Sequence, residues 1–128
     1  MPKSNLERAG WGMTLLFALF MLGASALPKL AGMAVAADTM KSLGWAEAPV
    51  FFIGCLELAF TLLFVIPRTG LLGAILMMGI YGGAIVTQMR AGSPLASHTL
   101  FSVYLGLLMW GALWLRDPAF RKLFPIRL

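Results

Sequence analysis

The chain is poor in the residues on which thiol, metal and haem chemistry depend. Cys55 is the only cysteine and His98 the only histidine among its 128 residues. A single cysteine cannot form a disulfide within the chain or a Cys-X-X-Cys pair, which excludes dithiol chemistry within one copy. A single histidine cannot supply a bis-histidine haem and argues against a zinc site. We therefore expect no metal cofactor.

Charged residues are scarce as well. They make up 12% of the chain and hydrophobic residues 60%, against roughly 45 to 50% apolar residues in soluble domains. In a soluble protein the net charge of +5 would suggest a nucleic-acid partner, but here the Lys and Arg residues lie between and after apolar runs rather than in one patch. The composition indicates an integral membrane protein in contact with the lipid bilayer, and no nucleic acid.

Four apolar runs are long enough to cross a bilayer as helices. They cover about residues 11–27, 50–66, 70–89 and 98–115, and residues 116–128 form a basic tail. Only Pro67, Arg68 and Thr69 separate the second run from the third, so these two helices must be antiparallel neighbours. We predict an all-α fold, a four-transmembrane-helix bundle that makes a single integral membrane domain of residues 1–128.

The longest connection, residues 28–49, leaves two structures open. Apolar residues recur in it at three- and four-residue spacing, namely Leu30, Met33, Ala37 and Met40. This pattern fits a short interfacial helix on the membrane surface, ended by Gly44. An ordered loop that caps the bundle fits the connection nearly as well.

The third run contains Gly79, Gly82 and Gly83. Glycines four residues apart let a neighbouring backbone approach closely. That neighbour could belong to the same chain or to a second copy, so a homo-oligomer stays open.

The basic residues predict the orientation, because cytoplasmic segments carry the Lys and Arg excess. Three of them, Lys29, Lys41 and Arg90, fall on one side of the predicted bundle, and the other seven fall on the opposite side: Lys3, Arg8, Arg68, Arg116, Arg121, Lys122 and Arg127. Both termini are therefore expected in the cytoplasm. Asp117 and Pro118 should cap a short helix in the tail, which we expect to lie on an anionic leaflet.

The second run, VFFIGCLELAFTLLFVI, places one acid, Glu57, near the middle of an apolar helix. An acid at that depth costs roughly 2.5 to 3.5 kcal/mol and usually faces a bundle interior. Counting about 1.5 Å per residue puts Tyr81 and Tyr104 roughly level with Glu57. Thr61 lies one turn deeper on the same helix face, and Gln88 and His98 would stand at the mouth of any pocket open to the outer leaflet.

Two interpretations of this group compete. In the first, a largely neutral Glu57 hydrogen-bonds across helices to the tyrosines and only fixes the packing. In the second, Glu57, Tyr81, Tyr104, Thr61, Gln88 and His98 line a pocket that binds the polar head of an apolar molecule. The second interpretation is the one we carry forward.

Short motifs in a fixed order resemble those of a known family. They are Pro28-Lys29-Leu30, Gly54-x-x-Glu57-Leu58, Pro67-Arg68-Thr69-x-x-x-Gly73-Ala74 and Gly83-Ala84. Over about residues 11–114 the chain resembles the DoxX-like family of small four-helix membrane proteins. The resemblance implies an embedded glutamate as a family hallmark and a bacterial inner-membrane location. Family members often carry a histidine late in the third span, where this chain has Thr87-Gln88.

Relatives are described as subunits of a thiosulfate:quinone oxidoreductase, as partners in bacterial thiol-redox assemblies and, in animals, as receptor-assembly factors. The resemblance therefore implies a non-catalytic subunit that binds a quinone or another lipid-like ligand near Glu57 for a membrane or peripheral redox partner. The alternative is an assembly or interaction protein in which the glutamate is only structural. A complete enzyme is least favoured, because the chain has no flavin or nicotinamide loop, no metal cluster and no dithiol.

Overall fold

The computed structural model describes residues 3–127, and within that range the protein is all-helical. Residues 1, 2 and 128, the outer ends of the predicted domain, lie outside it. The helices are α1 (Asn5–Leu30), α2 (Ala34–Ser42), α3 (Val50–Val65), α4 (Gly70–Arg90), α5 (Phe101–Arg116) and α6 (Pro118–Arg121). This confirms the predicted all-α fold. Wider π-type turns interrupt α1 at Met21–Ala26 and precede α5 at Leu95–Thr99.

Within residues 3–127, three helical segments are long and apolar enough to cross a membrane. They are Asn5–Leu30, Pro67–Arg90 and Leu95–Arg116, while α3 is a shorter apolar helix of 16 residues. At about 1.5 Å per residue, α3 is roughly 24 Å long. The short turn Pro67–Thr69 joins α3 to α4, and the two helices pack against each other as predicted.

Helix α1 extends beyond the predicted span at both ends. At its start, Ser4 Oγ accepts a hydrogen bond from the Glu7 amide at 3.2 Å, a typical N-terminal cap. At its other end, the helix passes through Pro28 and continues to Leu30. The prediction ended the span at residue 27 and placed Lys29 in the connection. In the structure, Lys29 lies one turn after Ser25 on the same helix.

The connection after α1 folds as a helix rather than a loop. Helix α2 ends where Gly44 adopts a positive φ of 85° and the Trp45 amide donates to the Met40 carbonyl at 2.9 Å. The left-handed backbone conformation at this position costs little free energy for glycine, since glycine has no Cβ. Of the two structures that the sequence left open, the chain adopts the helix, with its end at Gly44, and the location of this helix on the membrane surface stays a prediction.

The core forms where α1 packs on α5 and α3 packs on α4. Phe17 and Phe64 are fully buried at its centre, with ring centroids 5.2 Å apart in an edge-to-face arrangement. Two glycines make the close packing possible. A Cβ on Gly10 would lie 2.8 Å from the Ala112 carbonyl oxygen, and a Cβ on Gly73 would lie 2.8 Å from the Phe60 carbonyl oxygen.

The glycines that the sequence singled out do not have this role within the chain. No atom lies within 4 Å of a Cβ built on Gly79, Gly82 or Gly83. Of the two neighbours that the sequence left open, the one within the chain is not found, because the close helix contacts of α4 are made through Gly73, and packing against a second copy stays a prediction. Gly79 and Gly83 instead line a cavity.

Arg116 is buried at the end of the bundle that carries the termini, with 6% of its surface exposed. Its guanidinium donates to Thr14 Oγ1 at 2.8 Å and to the carbonyl of Phe64 near the end of α3, and lies 4.4 Å from the ring centroids of Trp11 and Phe64. The sequence placed Arg116 among the charges of the basic tail. It instead donates to the Phe64 carbonyl, because the last carbonyls of a helix such as α3 have no amide partner within the helix.

The tail begins as predicted. Asp117 Oδ1 accepts hydrogen bonds from the amides of Ala119 and Phe120 at 3.0 and 3.2 Å. Part of its apolar face is not free to meet a lipid surface, because Phe120 is buried and stacks on Trp110 of α5 with ring centroids 5.7 Å apart. Leu123 and Ile126 remain exposed.

Candidate functional site

A cavity of about 480 Å³ lies at the end of the bundle where α1 and α4 finish and α3 and α5 begin. All four of these helices contribute to its walls, together with α2 and the turn Leu95–Thr99. The volume is within the range of roughly 300 to 1,000 Å³ typical of small-molecule pockets. Gly79 and Gly83 add no side chain to the part of the wall that they form on α4.

Glu57 stands in this cavity with 4% of its surface exposed. Its carboxylate pairs with the ammonium of Lys29, with Nζ 3.0 Å from Oε1 and 3.3 Å from Oε2. Ser25 Oγ donates to Oε2 at 2.7 Å. Lys29 Nζ also donates to Ser25 Oγ at 3.0 Å and to the Ser25 carbonyl at 3.2 Å. The acid is therefore held by α1 in a closed network of charge and hydrogen bonds.

Sequence reasoning missed Ser25 and Lys29. It treated Ser25 as part of the apolar span and Lys29 as a charge of the connection. The sequence did contain one sign of this contact. Ser25 and Lys29 are four residues apart and share a helix face, but only if α1 continues through Pro28. Lys29 also belongs to the Pro28-Lys29-Leu30 motif, which marked the position without giving its contact.

Four of the six predicted site residues line the cavity together: Glu57, Tyr81, Gln88 and His98. Tyr81 is 3% exposed, and its hydroxyl donates to Met21 Sδ at 3.1 Å rather than to the carboxylate. The prediction that the tyrosines are the hydrogen-bond partners of Glu57 is therefore not met, because Lys29 and Ser25 occupy that place.

The other two predicted residues lie outside the cavity. Tyr104 is 46% exposed and its hydroxyl donates to the Ala96 carbonyl at 2.8 Å. Thr61 is fully buried and its hydroxyl donates to the Glu57 carbonyl at 2.7 Å, within its own helix. Tyr104 was assigned from its depth along the helix, and depth alone does not say which way a side chain points. Thr61 was assigned because it lies one turn from Glu57 on the same helix face, but its hydroxyl bonds back to its own helix.

Gln88 and His98, the other two predicted site residues of the cavity, form no hydrogen bond with the ion pair in the part of the chain that the structure describes. Gln88 Oε1 is buried and has no hydrogen-bond partner among the described residues. Exposed His98 contacts Ser97, with Nδ1 2.7 Å from Oγ. The cavity thus combines an ion pair with other hydrogen-bonding groups and with apolar and aromatic surface.

These features define a small helical membrane protein with a buried ion pair in the wall of a mostly apolar cavity. The DoxX-like family model matches residues 12–112. The chain belongs to the DoxX-like family, as its motifs indicated. The match covers the whole cavity and leaves out α6. Searches of curated proteins and of solved structures gave no match.

Proposed function

We propose that α1, α3, α4 and α5 all cross the membrane, giving a four-span bundle in the bacterial inner membrane. Helix α3 is the shortest, but it packs along α4, and the turn that joins them is only three residues long. Both observations support a bilayer-crossing α3 that lies antiparallel to α4 along its side. A span shorter than the hydrocarbon layer is accommodated by local thinning of the bilayer at modest cost.

We propose that this bundle is a non-catalytic subunit that binds a quinone, or an apolar molecule with a similar polar head, for a membrane redox partner. The observation that carries the proposal is the cavity of about 480 Å³ in which the Glu57–Lys29 pair meets aromatic and apolar walls. Phe20 and Phe101 contact each other, with ring centroids 5.6 Å apart, and form an aromatic part of this wall against which a ligand ring can pack. The three protons of the Lys29 ammonium are directed to Glu57, Ser25 Oγ and the Ser25 carbonyl, so the pair presents a fixed dipole to the ligand head.

The network around Glu57 suits binding better than proton transfer. The carboxylate is neutralised by Lys29 and also accepts from Ser25, so the cavity carries a dipole rather than a net charge. A neutral ligand then enters without having to balance a buried charge. We assign Glu57 the role of holding Lys29 and Ser25 in position at the ligand head, with Tyr81 closing the wall beside them.

Filling the cavity should abolish ligand binding. In Gly83→Leu, the new side chain starts from a Cβ position with no atom within 4 Å, on the cavity wall, and we expect it to occupy the ligand's space. Gly82→Leu is the matched control, since Gly82 has the same open surroundings but does not line the cavity. Mass spectrometry of protein purified in mild detergent should find a quinone or lipid retained in the wild type and Gly82→Leu, and lost from Gly83→Leu. Equal retention by both variants would count against the cavity as the binding site.

A second candidate is an assembly protein that stabilises another membrane protein. It is favoured by one observation: Glu57 links α1 to α3 through Lys29 and Ser25, as a purely structural acid would. Co-purification of a partner in stoichiometric amount, with an empty cavity and normal partner stability in Gly83→Leu, would support this function over ligand binding.

We also propose that both termini are cytoplasmic. Arg116 and Lys29 are bound inside the bundle, so we leave each out of the count of free Lys and Arg residues on its side. The side of the termini then has 7 − 1 = 6 basic residues and the opposite side 3 − 1 = 2. The excess at the termini remains. Alkaline phosphatase fused after the last residue should be inactive in a bacterial host and green fluorescent protein at the same position should fluoresce. Active phosphatase would reverse the orientation.

A further inference from the structure

Helix α2 covers the cavity at the end of the bundle opposite the termini. Thr39 and Met40 of this helix, and Leu43 and Trp45 just after it, line the cavity. No residue of α2 is itself buried, and the helix packs chiefly on the last turn of α1, residues 27–30. It therefore forms part of the cavity wall without being part of the core.

The polar groups of α2 do not tie it to the bundle. In the described part of the chain, Thr39 Oγ1 donates to the Val35 carbonyl at 2.7 Å and Ser42 Oγ donates to the Thr39 carbonyl at 2.6 Å, both inside the helix. The charged residues of α2, Asp38 and Lys41, are exposed and form no salt bridge with other described residues. Segments with so few buried contacts open at a lower free energy than the core does.

Two glycines in left-handed conformations flank α2. Gly32 has a φ of 69° and Gly44 a φ of 85°, and a Cβ built on either would meet no atom within 4 Å. Glycine passes between left- and right-handed backbone conformations at little steric cost, so it is suited to a hinge. The helix can therefore rotate as a unit while its own hydrogen bonds stay intact.

A second hollow, of about 280 Å³, lies beside the cavity. Leu43, Trp45 and Thr87 line both spaces. Val86 of α4 and Gly44 line the second space and not the first. The contact between the end of α2 and α4 is therefore a thin partition with space on each side, which leaves room for movement.

We infer that α2 is a lid hinged at Gly32 and Gly44, which opens to admit the ligand to the cavity and closes over it. That the lid serves ligand entry rests on the proposed function, whereas the motion itself does not. Closure shields the buried ion pair from water, as lids do at many binding sites. An apolar ligand stabilises the closed state, because it covers Met40 and Leu43, which are only half-buried without it.

Distances between spin labels test the motion directly. In a Cys55→Ala background, labels on Val35→Cys of α2 and Met89→Cys of α4 occupy exposed positions, and Phe51→Cys of α3 with Met89→Cys is the matched control pair without α2. Double electron–electron resonance in lipid nanodiscs should give two distances for the α2 pair and one for the control pair. Adding decylubiquinone should shift the α2 pair to one of its two distances. A single distance for the α2 pair, as narrow as that of the control with and without decylubiquinone, would overturn the lid.

Locking the lid tests its role in ligand entry. Leu43→Cys and Val86→Cys, again with Cys55→Ala, stand on the two sides of the second hollow, so a bridge between them lies at the edge of the cavity. A short bifunctional thiol reagent should abolish uptake of decylubiquinone by empty protein and prevent its release from loaded protein, as measured by mass spectrometry after repurification. A long reagent at the same two cysteines is the matched control and should leave uptake and release unchanged. Equal uptake with the short and the long bridge would exclude a role of α2 in entry.

The outcomes separate this inference from the proposed function. If the unbridged protein binds no decylubiquinone while the α2 pair still shows two distances, the proposed ligand class fails and the lid stands. If decylubiquinone binds while the α2 pair shows one distance, or enters equally well past the short bridge, the lid fails and the proposed function stands.

Discussion

Glu57→Leu is expected to lower the free energy of unfolding by about 3 kcal/mol. The substitution leaves the Lys29 ammonium without its carboxylate, and removing one member of a buried ion pair typically costs about 3 to 5 kcal/mol. We expect the lower end of this range, because the Lys29 side chain stays 15% exposed and can be hydrated from the cavity. Ser25 also loses its acceptor. Unfolding of the purified protein by SDS in mixed micelles measures the change.

Two further variants identify the cause. Lys29→Met combined with Glu57→Leu removes both charges together and should restore most of the lost stability, because apolar replacement of a whole buried pair is often close to neutral. Glu47→Leu is the control for loss of an acid at an exposed position and should change stability by less than about 0.5 kcal/mol. If Glu57→Leu proved as stable as Glu47→Leu, the ion pair would make no contribution to the stability of the fold.

Glu57→Gln tests what the carboxylate does beyond stability. With tyrosines as partners, an amide would have replaced a neutral carboxyl almost without loss. With Lys29 as the partner, the amide oxygen still accepts from Lys29 and Ser25 but no longer neutralises the ammonium. We therefore expect the free energy of unfolding of Glu57→Gln to lie between those of the wild type and Glu57→Leu. Stability, ligand retention and rescue of a deletion strain that all match the wild type would show that the charge has no role.

Gly73→Ala is expected to destabilise the bundle by about 3 kcal/mol, at the upper end of the usual cost of overpacking. The new Cβ would lie 2.8 Å from both the Phe60 carbonyl oxygen and the Phe64 Cα atom. These are backbone atoms of α3, which cannot move aside as a flexible side chain can. Helices α3 and α4 must therefore separate along the contact that also positions Glu57.

Gly82→Ala is the matched control on the same helix, since a Cβ there meets no atom within 4 Å. It should leave stability unchanged or raise it by up to about 1 kcal/mol, the difference in helix propensity between alanine and glycine. Unfolding in mixed micelles again gives the comparison. Similar stabilities for Gly73→Ala and Gly82→Ala would mean that α3 and α4 do not pack as closely as the structure has them.

The class of the protein and most of its helices could be predicted from the sequence because their causes are local. Apolar runs of bilayer length and the scarcity of charge within them indicate membrane helices whatever their packing. The cap at Asp117 and the end of α2 at Gly44 also depend only on neighbouring residues. The continuation of α1 past Pro28 was missed, since proline usually marks a boundary and only the packed helix overrides it.

The depth of the candidate site residues along their helices could be predicted from the sequence, but the direction of their side chains could not. Counting residues along each span put Tyr81 at the depth of Glu57, and both line one cavity in the structure. The same count placed Tyr104 with them, although it turns away toward Ala96. Helices that are apolar on every side carry no stripe that tells which face meets the bundle, so their rotation is decided by packing against neighbours.

Sequence by itself thus determined that an acid would be buried at mid-depth among four apolar helical segments. Only the tertiary structure decided that Lys29 is its partner, that Arg116 is buried rather than free in the tail, and that Gly73 rather than Gly79 makes the close contact. The physical reason is the same in each case. These contacts join residues far apart in the chain, and they exist only once helix–helix packing has fixed which faces meet.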